Sequence, residues 1–353
     1  MFLPSAVGRV RTALTALVVL TAVALVAGCG GSAAPGASTT DASSSAAASG
    51  EAFPVAIDHV YGTTTIDAEP QRVVTLGWGS QDAVAALGVV PVGVTDFTWG
   101  TVDTYLPWFA DKVTELGGQM PEVVEALDSG EYDYEQILGL EPDVIIARHS
   151  GITQAQYTRL SEIAPTIAYR SEAWAADWQD VQLTVGEALG RRQAAQEVID
   201  ETNATIAAHA AAHPEFQGKT FAYGSPWTEG EAVMGLYGVD DARVKLIEQL
   251  GFTPAPAVVE RSKATKDAGF EVSLEELDTV DTDVLLIWAN DQAQWEGMKA
   301  QPLLGAWAPI AQGRTYAMPE QGLAWASSAP SALAIPWSLD TVVPALAVIV
   351  AKG

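Results

Sequence analysis

Short apolar runs and helical stripes alternate along most of the chain. Ala56 to Ile66 reads as a hairpin-like stretch, with Val60, Ile66 and the Thr63-Thr64-Thr65 run favouring strand and Gly62 favouring a turn. Arg72-Val73-Val74-Thr75-Leu76 has the length and composition of a buried strand. Ser80 can cap a helix from Gln81 to Leu87, which Gly88 ends, and Pro91-Val92-Gly93-Val94 is a second short strand. A helix over Tyr134 to Leu140 precedes a strand over Asp143 to Ala147, and a short helix over Gln154 to Ile163 precedes Thr166 to Tyr169. Strands that alternate with helices predict a mainly parallel α/β lobe over residues 53–175.

From Trp178 to about His213 the chain is Ala-rich and free of proline. Val181, Val185, Leu189, Val198 and Ile206 give a broken helical stripe, and Gly186 and Gly190 favour a break. Residues 176–214 are therefore expected to be helical, partly one long helix joining two lobes, with Pro214 as its stop. A second α/β lobe is expected over residues 215–353. Its strands are Lys219 to Tyr223, Val284 to Trp288 and Arg314 to Met318; its helices are Asp240 to Leu250, Leu274 to Thr279 and a terminal one from near Leu333. The lobes echo each other. Tyr134-Glu135-Gln136-Ile137 precedes Asp143-Val144-Ile145-Ile146 as Leu274-Glu275-Glu276-Leu277 precedes Asp283-Val284-Leu285-Leu286, with eight residues from Glu to Asp in both.

The N-terminus follows another pattern. Arg9 and Arg11 precede an apolar run from Ala13 to Ala27, and Val26-Ala27-Gly28-Cys29 closes it with small residues and a thiol. That is the layout of a secretory signal over residues 1–28. The run is shorter than the roughly 20 residues that span a bilayer. Cys29 is the chain's one cysteine and has no disulfide partner; the segment resembles the lipobox of bacterial lipoproteins, which implies lipidation at Cys29. Two acyl chains suffice for stable anchoring, so the expected location is the outer face of the cytoplasmic membrane. Residues 29–52, rich in Ala, Ser, Gly and Thr, read as a flexible tether. The chain carries a formal charge of −26. Such acidity argues against nucleic-acid partners and against a basic patch on anionic lipid.

From Pro70 to Asp340 the chain resembles the ferric siderophore and vitamin B12 binding proteins of ABC importers, the iron-siderophore lipoproteins in particular. The matching stretches include Pro70-Gln71-Arg72-Val73-Val74-Thr75-Leu76-Gly77-Trp78, Ala86-Leu87-Gly88-Val89-Val90-Pro91-Val92-Gly93-Val94, Val185-Gly186-Glu187-Ala188-Leu189-Gly190 and Ile335-Pro336-Trp337-Ser338-Leu339-Asp340. The resemblance implies two Rossmann-like α/β lobes joined by a long helix, with ligand in the cleft between. It implies a monomer that hands its ligand to a permease with its ATPase. By residue matching, Glu135 and Glu275 dock on that permease, one from each lobe.

Ligands of open α/β sheets meet the loops beyond the carboxyl ends of the strands. Trp78, Arg148, Trp227, Trp288 and Trp325 are placed there by the strand assignments, and Tyr237 and Arg243 flank the helix after the Trp227 loop. Indoles suit the apolar parts of a siderophore, and Arg suits anionic oxygens around ferric iron. Trp174, Trp178, Trp307 and Trp337 read as packing, and Trp99 and Trp108 as cleft rim or cover. The rival readings are haem or cobalamin carriage, a direct metal-ion carrier and an enzyme. His149 is the one histidine placed for a cleft, and His209 and His213 sit four apart on a helix. One histidine makes no metal site, so no metal ligand and no resident cofactor are expected. No GxSxG, HExxH, P-loop or CxxC motif supports catalysis.

Overall fold

The computed structural model describes residues 53–97, 104–125, 127, 130–265 and 267–352. The signal segment, Cys29, the tether and Trp99 lie outside the described residues. The described chain opens with an antiparallel hairpin, β1 (Val55–His59) and β2 (Gly62–Ile66). Its inward residues Ile57 and Ile66 join the first lobe's core, and Tyr61 pins it by donating to the Ile152 carbonyl at 2.6 Å.

The first lobe follows as β3 (Val73–Thr75), α1 (Ser80–Ala86), β4 (Gly93–Thr95), α2 (Pro107–Glu115), β5 (Glu122–Val124), α3 (Tyr134–Gly139), β6 (Val144–Ile146), α4 (Gln154–Ser161) and β7 (Thr166–Ile167). Its sheet runs β5-β4-β3-β6-β7, all parallel. Every residue of β3, β6 and β7 is buried, which is why these strands read as unbroken apolar runs.

Two helices connect the lobes, α5 (Trp178–Ala188) and α6 (Arg192–Ala212). The chain breaks between them at Gly190, whose φ of 65° is the left-handed turn that glycine makes cheaply. Gly186 does not contribute to the break. It lies inside α5, where a Cβ would strike that of Ala195 on α6, so its role is close helix packing. The long connector is α6, 21 residues, or roughly 31 Å at 1.5 Å per residue. Ala195 near its start belongs to the first lobe's core, and Ile199 and Ile206 belong to the second's.

The second lobe comprises β8 (Thr220–Gly224), β9 (Val233–Tyr237), α7 (Ala242–Gln249), β10 (Thr253–Pro254), α8 (Pro256–Ser262), β11 (Gly269–Ser273), a 3-10 segment Leu274–Thr279 and β12 (Val284–Trp288). It continues through α9 (Gln292–Ala300), α10 (Pro302–Ala306), α11 (Ala308–Ala311), β13 (Thr315–Met318), α12 (Gln321–Ser328) and α13 (Ala334–Val350). Its six-stranded sheet runs β11-β9-β8-β12-β13, with β9 antiparallel to both neighbours and β10 pairing parallel with the start of β8. In both sheets the lobe's first strand lies at the centre, β3 beside β6 and β8 beside β12, and the last strand, β7 or β13, forms one edge.

The Glu-to-Asp echo in the sequence has a structural cause. In the first lobe the Asp143 carboxylate accepts the backbone N–H groups of Gln71 (2.7 Å) and Arg72 (3.0 Å), fastening β3 to β6. In the second, Asp283 accepts the Thr220 N–H (2.8 Å) and hydroxyl (2.9 Å), fastening β8 to β12. In each lobe one aspartate closes the amino end of the central strand pair.

Candidate ligand cleft

The two sheets present the residues after their carboxyl ends to each other. Trp78 follows β3, and its N–H donates to the His149 carbonyl at 2.9 Å. Trp174 follows β7. Its N–H donates to the Ser150 carbonyl at 3.1 Å, its φ is +61°, and its indole rests where a Cβ on Gly151 would be. The Trp78 and Trp174 rings lie 4.9 Å apart, and the His149 ring is 6.0 Å from each. Burial holds the His149 imidazole neutral, its pKa lowered to about 4 despite a hydrogen bond to the Trp174 backbone.

The second lobe answers with Trp288, Tyr237, Arg243 and α12. The Trp288 indole N–H donates to the Tyr237 hydroxyl at 3.0 Å, and the Arg243 guanidinium lies 4.1 Å over the Tyr237 ring. Arg243 Nη1 donates to both carboxylate oxygens of Asp241, at 3.1 and 2.8 Å. Trp78, Arg243, Trp288, Gln321, Ala324, Trp325 and Ser328 enclose a cavity of about 60 Å³. That is well under the roughly 300 Å³ at which small-molecule sites begin. A ligand of siderophore size therefore enters only if the indoles swing or the lobes part. A wider hollow of about 550 Å³ lies between α5 and α7, but its walls are helix flanks whose charges are already paired, Asp177 with Lys245 and Asp180 with Arg148 and Arg170.

Behind the cavity the lobes share an apolar core. Phe97, Leu106, Trp108 and Phe109 of the first pack with Trp325, Ala326, Ala329 and Ala334 of the second. One buried carboxylate crosses this seam. Asp82 on α1 accepts the Trp108 indole N–H at 2.7 Å and the Ser331 hydroxyl at 2.6 Å. Burial pushes its pKa up to about 6, against the pull of those hydrogen bonds.

Residues 73–321 match the periplasmic binding protein family. The chain belongs to that family. As a periplasmic binding protein it is similar to the Fe(3+)-citrate-binding protein YfmC of Bacillus subtilis, 29% identical over 72% of this chain and 75% of that one. It is also similar to the Fe(3+) dicitrate-binding periplasmic protein FecB of Escherichia coli, 27% identical over 67% and 72% of the two chains. Among solved structures, PiaA of Streptococcus pneumoniae in complex with ferrichrome is 31% identical, with a TM-score of 0.75 over 84% of this chain and 99% of that one.

Within this periplasmic binding protein, Trp78, Tyr237, Arg243 and Trp288 converge as the sequence suggested. Trp325 joins them, while two expected ligand residues, Arg148 and Trp227, do not. Arg148 is fully buried: its guanidinium donates to both oxygens of Asp180 on α5, at 2.7 and 3.1 Å, and to the Ala168 carbonyl. A buried guanidinium needs such a partner, and the pair ties the first sheet to the connector. Trp227 packs in the second lobe's core and spends its N–H on the Glu231 carbonyl at 2.9 Å. Trp325 is in helix α12 rather than a loop, 3% exposed, and edge-on to Trp78 and Phe97 at 5.1 Å each; it forms the cavity's floor. Conversely Trp174, set down as packing, is 48% exposed at the cleft mouth. Ser80 is the first residue of α1 and Gly79 its cap, so Ser80 does not cap.

Glu135 and Glu275 are both exposed and hold equivalent places. Each lies in the first turn of the helical segment that leaves the edge strand, β5 or β11, of its sheet. His209 and His213 separate, facing Asp340 and Glu215 respectively. Among the described residues no group of three or more His, Cys, Asp or Glu could hold a metal, and no helix is long and apolar enough to cross a membrane.

Proposed function

We propose that this protein captures a ferric siderophore between its lobes and delivers it to an ABC importer for iron uptake. The observation that carries the reading is the convergence of indoles and one arginine from both sheets on a single cleft. Flat, apolar walls with few polar groups suit the organic shell of a metal chelate rather than a bare ion. The ligands of two relatives, Fe(3+)-citrate for YfmC and ferrichrome for PiaA, support the same class. Transport work belongs to the permease and its ATPase.

Two acidic side chains at matched positions, one per lobe, suit a basic permease surface, because together they fix position and lobe spacing. In this reading Glu135 and Glu275 dock, and lipid on Cys29 keeps the body at the membrane. Equilibrium dialysis against ferric siderophores, haem and cobalamin tests the ligand: a ferric siderophore should be retained, and retention of haem or cobalamin alone would overturn the reading. A Glu135→Ala, Glu275→Ala double variant should bind ligand normally yet lose radioiron uptake in cells; normal uptake would remove the docking assignment.

A further inference from the structure

The cleft brings its one charged lining residue already neutralised. Among the described residues that enclose the cavity, Arg243 alone is charged; the others are Trp78, Trp288, Trp325, Gln321, Ala324 and Ser328. Arg243 is largely buried, 13% exposed at its side chain, and Asp241 is 6% exposed. Their contact is two-fold through Nη1, and Asp241 also accepts the Arg243 backbone N–H at 2.9 Å as the cap of α7. The Arg243 Nε–H is buried without an acceptor. The His149 ring, 6.0 Å from that of Trp78, is held neutral by burial.

This arrangement discriminates between ferric chelates by charge. A tricatecholate complex of Fe(III) is a trianion, ferric citrate complexes are anionic, and a trihydroxamate complex of the ferrichrome type is neutral. Stripping water from a trianion costs several kcal/mol per charge unless cations replace the water. The cleft offers no uncompensated cation among its described residues, inside a chain of formal charge −26. A neutral chelate has no such requirement. It needs apolar walls for its shell and a few hydrogen-bond donors for its oxygens, and parting of the lobes would let the buried, unpartnered Arg243 Nε–H supply one without breaking the Asp241 pair.

Resting on the siderophore reading above, we propose that Asp241 is a specificity-determining residue: by neutralising Arg243 it makes the cleft select neutral, hydroxamate-type ferric chelates and reject anionic ones. Rejection here is a built-in charge, not a missing contact.

The test is a binding panel on the purified protein with ferrichrome, ferric enterobactin and ferric citrate, repeated on Asp241→Asn. Asparagine keeps an oxygen to cap α7 and removes the counter-charge. Wild type should bind ferrichrome at least about 100-fold more tightly than either anionic chelate, a gap of about 2.7 kcal/mol. Asp241→Asn should shift the anionic-to-neutral affinity ratio toward the anions by about 10-fold. A loss of packing alone would weaken all ligands together and leave the ratio fixed, which would overturn the role of Asp241. Wild-type preference for enterobactin or citrate would overturn the charge selection while leaving the siderophore reading intact. Failure to bind any ferric chelate would sink both.

Discussion

Replacing Asp82 by asparagine should change how stability depends on pH more than it changes stability itself. Asp82 is fully buried at the seam between lobes, where one of its oxygens accepts from Trp108 and Ser331 and the other has no partner. Burial raises its pKa from the usual 3.8 to about 6. A carboxyl with a raised folded-state pKa binds its proton more tightly folded than unfolded. Its stabilising contribution is complete below the unfolded pKa near 4 and is lost as pH rises through about 6. Two pKa units correspond to about 3 kcal/mol. The wild-type protein should therefore lose on the order of 3 kcal/mol from this site between pH 4 and 7, and Asp82→Asn should not. Asparagine also retains an oxygen for Trp108 and Ser331. Urea unfolding followed by circular dichroism at pH 4, 5, 6 and 7 gives the difference curve between the two proteins. The curve should climb with pH in favour of the variant. A flat difference would refute the account of Asp82 as a carboxylate ionised against its surroundings. Asp82→Ala is the companion: it orphans a buried indole N–H and a buried hydroxyl, and should be about 2–5 kcal/mol less stable than Asp82→Asn at every pH.

Other consequences follow from the same geometry. His149 has the opposite sign to Asp82. Its folded pKa lies below the unfolded value of 6.5, so stability falls as pH drops from about 6.5 to 4, by about 3 kcal/mol; a His149→Asn variant should show a shallower acid limb in the same urea series. Arg148→Met should destabilise by about 3 kcal/mol by leaving Asp180 short of its buried partner, yet leave ferric-chelate affinity unchanged in dialysis, since Arg148 supports the fold rather than the ligand. Trp174→Ala should weaken ligand binding about 10- to 100-fold, the range for losing a well-placed aromatic anchor, with little change in the urea midpoint because the indole is half exposed.

The parallel cores of both lobes are legible in the alternation of apolar runs, because strands buried on both faces read as short unbroken apolar runs bounded by turn residues. The elements that escaped are the ones whose partners lie far along the chain. β9 and β11 pair with each other through residues 233–237 and 269–273, and α12 packs its apolar face on α13. Trp325 therefore reads as a loop residue in the sequence, whereas it sits on α12 and reaches the cavity as its floor. Arg148 illustrates a deeper limit. A strand-end position places a side chain near the cleft, but Asp180, 32 residues later on α5, claims it. Nothing local to either residue announces that pair. Trp174 reads as packing in the sequence, since only a left-handed turn and the bare Cα of Gly151 bring its ring out over Trp78. The matched glutamates were legible because they belong to a repeat, whose aspartates have a backbone-fastening duty in each lobe.

The central claim is that ferric chelate sits among Trp78, Trp174 and Trp288, and tryptophan fluorescence reads it directly. Ferric complexes quench nearby indoles, so titration with ferrichrome should quench emission saturably at one equivalent, and Trp78→Phe with Trp288→Phe should remove most of that response. Unchanged emission across every ferric chelate, beside saturable quenching by haem, would contradict it.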